Sequence, residues 1–291
     1  MISNDLLHRF IFDDCDIRGE IVTLGTSYRE ILSHNDYPEV VQSLLGEFVA
    51  AVALLSSTLK FDGVVTLQAR GEGALSLVMA ECSHHNEIRA IVRPAPEGEI
   101  DADAASLPDL LGHGVLAITL DPAKGERYQG VVPLDADNLA GCLEHYFRQS
   151  EQLETRFWLA ADDSTASGLL VQALPQQLSA SAEANADQWR TTIALADTVS
   201  AEELLRIDHH QLLYRLFHEQ SLRLFNPSEL RFACSCSRER SAEALKSLGQ
   251  EDVEQLLVEK GEITIDCQFC NQLYRYNAAD IRALFGQGTL H

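Results

Sequence analysis

Cys234-Ser235-Cys236 and Cys267-Gln268-Phe269-Cys270 place four thiols in two close pairs, 30 residues apart. Cysteine thiolates are soft donors, and four of them supply the tetrahedral sulfur shell that zinc favours. Zinc has no ligand-field preference, so the pairs need only converge, and the intervening chain is ample for that. Each thiol must lose its proton to bind, and coordination drives that loss. The thiolates nevertheless stay oxidisable. Oxidising each close pair would remove all four donors together, releasing the metal and whatever structure it supports. Two blander readings use the same residues: an inert zinc ribbon, and two thiol pairs that hold no metal.

The other three cysteines, Cys15, Cys82 and Cys142, are scattered singly through the first 142 residues. Cys142 falls on a helical stretch between Ala140 and Leu143 and reads as a buried, inert thiol. In a reducing compartment a tight cluster of four cysteines reads as metal-binding or redox-active rather than as a disulfide framework.

The elements that must hold the cluster are slight. Residues 234–291 carry few large apolar side chains: Leu245, Leu248, Val253, Leu256, Leu257, Ile263, Ile265, Tyr274, Tyr276, Ile281, Leu284 and Phe285. A segment that small is marginal without a staple. Structural zinc contributes on the order of 10 kcal/mol to such units. Helices are expected over 241–248 and 253–258, strands over 263–265 and 274–276, and a last short helix over 280–285 before a frayed tail.

Upstream, the first 175 or so residues alternate strand-like and helix-like stretches. Apolar residues at three- and four-residue spacings predict a helix over 38–60, and a second over 138–156. Strands are expected over 21–24, 88–93, 115–120, 128–134 and 168–174, with a hairpin over 64–78 turning at Arg70-Gly71-Glu72-Gly73. Hairpins around a few helices predict an α+β fold. From Pro175 the composition shifts, and residues 176–187 are small and polar, as a linker is. Short helical pieces follow, one opened by the capping box Ser200-Ala201-Glu202-Glu203 and one carrying Leu212, Leu213, Leu216 and Phe217 on one face. None is long enough to be stable alone. The expected organisation is therefore a mixed helix/sheet N-terminal core domain over 1–178, a metastable helical linker over 179–233, and a small C-terminal four-cysteine zinc-binding domain over 234–291.

The formal net charge is −22, most of it before Ala180. Such a chain repels nucleic-acid phosphates and anionic lipid, and no basic stripe offsets that. No apolar run is expected to approach the ~18 residues of a membrane span. The start, Met1-Ile2-Ser3-Asn4-Asp5, lacks a basic region leading into an apolar stretch, so a cytoplasmic protein is expected, with neither nucleic acid nor membrane as a partner.

Cys234-x-Cys236-Ser237-Arg238-Glu239-Arg240, then Gly261-Glu262-Ile263 leading into Cys267-x-x-Cys270, resembles the redox-switch domain of the 33-kDa heat-shock chaperonin family. The resemblance extends upstream through His8-Arg9-Phe10, Arg18-Gly19-Glu20-Ile21-Val22, Leu59-Lys60-Phe61-Asp62-Gly63, Gly125-Glu126-Arg127-Tyr128-Gln129-Gly130-Val131 and residues 146–153. One departure is Ser241, where some members carry a further cysteine that is not among the four ligands. The resemblance implies a redox-regulated, ATP-independent holdase without catalytic residues, holding one zinc ion on Cys234, Cys236, Cys267 and Cys270 when reduced. Oxidative stress would form the Cys234–Cys236 and Cys267–Cys270 disulfides and release the zinc. The zinc domain and linker would then unfold, exposing apolar surface to unfolded or partly folded client proteins. It also implies a homodimer when activated, and ATP-dependent foldase chaperones downstream.

Two other function classes fit the cysteines: a constitutive zinc-ribbon interaction module, and a thiol-disulfide oxidoreductase working through Cys267-x-x-Cys270. The second lacks a thioredoxin-like βαβ context and leaves the other pair without a role. Asp208-His209-His210 could suggest a metal-dependent phosphoesterase, yet no second Asp/His cluster supports one, and the histidines open an amphipathic helix. His84-His85 reads as a solvated turn. Arg238 and Arg240 read as surface ion pairs, or as counter-charges to a zinc tetrathiolate.

Overall fold

The computed structural model describes residues 5–58, 62–104, 106–178 and 181–286. Met1 to Asn4, Leu59-Lys60-Phe61, Ser179-Ala180 and the tail 287–291, all of which entered the sequence reading, lie outside the described residues.

Strands β1 (Leu6–Phe12) and β2 (Ile17–Leu24) form an antiparallel hairpin, with Leu6 opposite Thr23. Helices α1 (Thr26–Ser33) and α2 (Glu39–Ser57) follow. A meander of β3 (Gly63–Gly71), β4 (Leu75–Ser83) and β5 (Glu87–Pro94) leads through α3 (Leu107–Leu111) to β6 (Gly114–Pro122) and β7 (Tyr128–Pro133). Helix α4 (Leu139–Tyr146) precedes the hairpin β8 (Thr155–Ala161) and β9 (Ala166–Ala173). Three helices come next, α5 (Ala182–Ala196), α6 (Ala201–Arg206) and α7 (His209–Phe217), and then three short strands, β10 (Leu222–Leu224), β11 (Ser228–Glu229) and β12 (Arg231–Phe232).

These strands build two sheets. The first runs β10-β1-β2-β9-β8 with β11 also on β1, and the second runs β12-β5-β4-β3-β6-β7. Every pairing is antiparallel except β12 with β5. Mixed sheets and helices bear out the α+β class.

Helix α2 is lodged between the sheets, in one cluster with Leu7, Val22 and Leu170 of the first and Val65, Leu67, Val78 and Ile118 of the second. It is apolar nearly all round, as a fully enclosed helix must be. This corrects one sequence expectation: α2 has 19 residues and a mean hydropathy of 1.7, enough by length and composition for a membrane span. Its burial, 67% of that stretch, marks it as a core helix.

The opposite face of the first sheet carries Phe10, Phe12, Ile17, Ile21, Leu169 and Val171, and α5, α6 and α7 cover it. Gly19 lies within this face, and a Cβ there would fall 2.1 Å from the Phe10 ring, so glycine is what lets that ring lie flat on the strand. The expected capping box closes α6: the Glu203 N–H donates to Ser200 Oγ at 3.2 Å and the Ser200 N–H to the Glu203 carboxylate at 3.0 Å. Leu212, Leu213, Leu216 and Phe217 are buried, as their spacing predicts.

Two expectations need correction. The helix predicted over 138–156 stops early: α4 runs into one π-helical turn, Phe147–Glu151, and Gln152 turns left-handed at φ 55°. Residues 148–152 are polar and exposed, so no apolar face carries the helix onward. Glu144 accepts hydrogen bonds from Arg156 Nε (3.0 Å) and the Phe157 N–H (3.1 Å), tying the helix to β8 instead. The stretch 176–187, read as linker, enters α5 from Ala182. Ser181 Oγ caps that helix by accepting from the Ala184 N–H at 3.1 Å, and alanine is the strongest helix former. Small residues suit a linker and a helix alike, and only the cap separates the two.

The chain divides into two compact units, Met1–Ala233 and Cys234–His291. The second unit contains α8 (Arg238–Leu248), α9 (Gln250–Lys260), the hairpin β13 (Ile263–Asp266) and β14 (Leu273–Tyr276), and α10 (Ala278–Gly286). Among the described residues its fully buried core is Leu245, Val253, Ile263, Tyr276 and Ile281, with partly buried residues such as Leu256, Leu257 and Phe285 packed against it.

One buried group in the first unit sets a pH dependence. Glu20 on β2 is 2% exposed, and one of its carboxylate oxygens has no partner. Burial pushes its carboxyl up to about 7, against the opposing pull of Ser57, Arg18 and Arg9. A carboxyl raised on folding favours the folded state while protonated, so stability falls as pH rises from about 4.5 through about 7. Glu20→Gln is therefore expected to be more stable than wild type at pH 8, by about 2–3 kcal/mol. The gap should close toward pH 4.5; urea unfolding of both proteins across that range measures it.

Candidate metal centre

Each cysteine pair is presented by a backbone device that its local sequence supplies. Cys234 and Cys236 precede α8, where Ser237 Oγ accepts from the Arg240 N–H at 3.2 Å and caps the helix. Arg240 reaches back, donating to the Ser235 carbonyl at 2.9 Å and to Ser235 Oγ at 2.6 Å, which clasps the Cys-x-Cys loop to the helix. Cys267 and Cys270 sit on the tight turn joining β13 to β14. There the Asn271 N–H donates to the Cys267 carbonyl at 2.7 Å and the Cys267 N–H to the Gln272 carbonyl at 2.9 Å. Asn271 itself is left-handed, φ 54°, a conformation asparagine tolerates better than most residues.

The two pairs converge. Cys234 Sγ lies 3.5 Å from Cys267 Sγ, Cys236 Sγ lies 3.4 Å from Cys270 Sγ, and all four sulfurs are within 4.8 Å of one another. A zinc–sulfur bond of about 2.3 Å places tetrahedral sulfurs roughly 3.8 Å apart, so the donor set fits zinc in kind, number and spacing. All four residues are half-buried. Burial and the neighbouring thiols push the Cys270 thiol up, while the Gln272 N–H opposes them. A divalent cation at the centre reverses that balance and favours thiolates.

Tyr274 is the site residue that sequence reasoning missed. Its hydroxyl donates to Cys236 Sγ at 3.2 Å. Spacing predicts Tyr274 only as a strand residue, and no short motif announces a hydroxyl returning from the next strand. Arg238 and Arg240 give their hydrogen bonds to the fold. Arg238 donates to the Arg275 carbonyl at 2.8 Å, pairs with Asp280 at 3.1 Å and lies 4.5 Å over the Tyr276 ring. Ser241 is buried on α8, donating to the Arg238 carbonyl at 2.9 Å and meeting the Tyr276 hydroxyl.

The remaining candidates fall elsewhere. Cys15, Cys82 and Cys142 are buried singly, and burial pushes the first two thiols up to about 11 and about 12. Such groups are poor nucleophiles. His84 and His85 are exposed in the turn after β4. Asp208 caps α7, accepting from the His210 N–H at 2.9 Å, while His209 is buried.

A sequence profile of the family described as Hsp33 protein matches residues 5–277. The 33 kDa chaperonin of Ectopseudomonas mendocina (strain ymp) is 54% identical over 288 residues, covering 98% of this chain and 97% of its own. That of Pseudomonas aeruginosa (strain UCBPP-PA14) is 53% identical over 291 residues, covering 99% and 97%. The crystal structure of the 33 kDa chaperonin from Thermotoga maritima superposes with a TM-score of 0.83 over 97% of this chain and 98% of its own, at 21% identity. That structural likeness shows the fold.

The Tyr274 hydroxyl donates to one sulfur of the cluster, and where that sulfur holds a metal, losing such a partner typically weakens binding about 10–100-fold. Tyr274→Phe is expected to weaken zinc binding toward the lower end of that range with unchanged far-UV dichroism. Competition against a chelating dye reads the affinity.

Proposed function

The chain belongs to the Hsp33 protein family, and from that premise we propose that it is a molecular chaperone that holds unfolded proteins without catalysis and is switched on by oxidation of four cysteines. The observation that carries the reading is the convergence of Cys234, Cys236, Cys267 and Cys270 on one point in a unit with five fully buried apolar residues among those described. Zinc, when bound, joins the loop before α8 to the β13–β14 turn and so supplies the cross-link that this small core lacks.

Under peroxide the thiolates react in pairs. One thiolate of each pair attacks a peroxide oxygen, breaking the O–O bond and forming a sulfenic acid with release of hydroxide. Its neighbour attacks the sulfenic sulfur, forming the disulfide and expelling a second hydroxide, which takes up a proton as water. Two peroxides are thus reduced as Cys234–Cys236 and Cys267–Cys270 form, and no thiolate remains to ligate metal. Residues 238–286 then rely on five buried apolar side chains, too few to hold three helices and a hairpin.

Residues 179–233 are the second half of the switch. Helices α5, α6 and α7 have 15, 6 and 9 residues, lengths that are not stable without docking. They cover the apolar face containing Phe10, Phe12, Ile21 and Val171, and uncovering it would present a surface suited to unfolded chains. The charge of −22 would keep the opened protein in solution. Homodimerisation on activation and transfer of clients to ATP-dependent foldase chaperones belong to the same reading through the family. So does a cytoplasmic location, which the bacterial relatives support.

Zinc content, free thiols and suppression of citrate synthase aggregation, followed together before and after peroxide at elevated temperature, test the reading. About one zinc should leave as four thiols disappear and holding activity appears. Zinc that stays bound, or leaves without any gain in activity, would reduce the site to a structural staple. In a second test, Phe217→Ala should cost about 3–5 kcal/mol of docking energy. It should raise amide exchange over 201–217 well before β3 to β6, and lower the oxidant dose needed for activity.

A further inference from the structure

His209, at the start of α7, is 4% exposed and joins that helix to the first sheet through a chain of side-chain hydrogen bonds. Its Nδ1 is 2.9 Å from His8 Nδ1 on β1, and its Nε2 is 2.8 Å from Thr23 Oγ1 on β2. Thr23 Oγ1 is 3.1 Å from Ser167 Oγ on β9, and Ser167 Oγ donates to the Val22 carbonyl at 2.7 Å.

The direction of every bond follows from the last one, because a carbonyl can only accept. Ser167 uses its only hydrogen on Val22, so Thr23 donates to Ser167. Thr23 then has no hydrogen left for His209, so His209 Nε2–H donates to Thr23. A neutral His209 in that tautomer has a bare Nδ1, so His8 Nδ1–H donates to it. Four buried polar groups are satisfied, with both imidazoles neutral and both tautomers fixed.

We propose that this chain is an acid-sensitive latch, holding α7 on the first sheet while His8 and His209 are neutral and releasing the linker helices in mild acid with the cysteines still reduced. The proposal rests on the reading of α5, α6 and α7 as a detachable cover. A first proton on His8 Nε2 keeps the Nδ1–H bond to His209, and one on His209 Nδ1 keeps a bond only if the His8 proton moves to Nε2. Either leaves a positive charge beneath the helix. A second proton sets N–H against N–H at 2.9 Å.

The titratable groups acting on the pair are few. Asp208 and His210 lie at the start of α7, the His210 ring is 5.4 Å from that of His8, and the strands contribute His8 alone, beside the uncharged Thr23 and Ser167. Asp208 favours the charged imidazoles, but burial outweighs it at both. Burial first, then His8, brings His209 down to about 4, and burial and His210 lower His8. Released into water, both would titrate near 6.5. The sign follows: folded values below the free ones mean that docking is complete above about 6.5 and weakens as pH falls. His209 alone shifts the equilibrium toward release by up to about tenfold per pH unit down to about 4.

The two tryptophans report the event directly. Trp158 on β8 and Trp189 on α5 both pack against the cluster under the linker helices, and the cysteine-bearing unit has no tryptophan. Reduced, zinc-loaded protein should show a red shift of tryptophan emission between pH 6 and 4.5 that precedes zinc release. In His209→Gln the shift should move to lower pH by at least one unit, with zinc release unmoved. A shift that tracks zinc release equally in both proteins overturns the latch. Long-range proton–nitrogen spectra of the wild type test it without any variant: at pH 7.5 they should show Nδ1–H on His8 and Nε2–H on His209. Finding His209 protonated near pH 6.5 with the emission unshifted also overturns it. Citrate synthase aggregation at pH 5 separates the two readings, since a protein that opens without holding clients keeps the latch and removes the client-binding face.

Discussion

A β-sheet that is apolar on both faces has to be covered twice, and most of this chain follows from how the first sheet meets that requirement. On one face Leu7, Val22 and Leu170 meet α2, a 19-residue helix enclosed by a second sheet on its far side. On the other, Phe10, Phe12, Ile21 and Val171 meet three short helices whose outward residues, Tyr214 among them, are exposed. The first cover is held from two directions and the second from one. A helix of six or nine residues has no stability of its own, so helix formation and docking are one event. The cover on this face therefore depends on docking for its helical structure.

The second unit shows the same economy in another form. Its five core residues are complemented by four sulfurs rather than by more apolar area. Under the proposed function such a cross-link would contribute on the order of 10 kcal/mol and would be lost as a block, since two disulfides would consume every ligand. Cys15, Cys82 and Cys142, buried singly with raised thiols, are kept out of that chemistry.

Buried ionisable groups mark the positions where the core accepts a cost. Glu20 faces α2 with an unpartnered oxygen, and His8 and His209 face each other under α7. Fully apolar residues at these points would give a more stable sheet and a tighter cover. Local departures from packing rules of this kind concentrate where a protein has to change state.

The chemistry was legible in the sequence because it depends on residue type and spacing. Four cysteines in two close pairs offer four sulfur donors that need only converge, and the Gly-Glu-Ile and Ser-Arg-Glu-Arg motifs around them carry the family resemblance. Long periodic stretches such as α2, β3 and β4 were legible for the same reason. Features that depend on partners far along the chain were not. The end of α4 is set by Glu144 bonding to Arg156 and Phe157, α5 begins at a serine cap inside linker-like composition, and β1 acquires its two different faces only from what packs on each. Tyr274 reaches Cys236 across 38 residues, and His209 reaches His8 across 201. A donor set is a property of residue identity and local spacing, whereas a tautomer, a second hydrogen bond to a sulfur and the cover of a sheet face exist only once distant segments have been brought together.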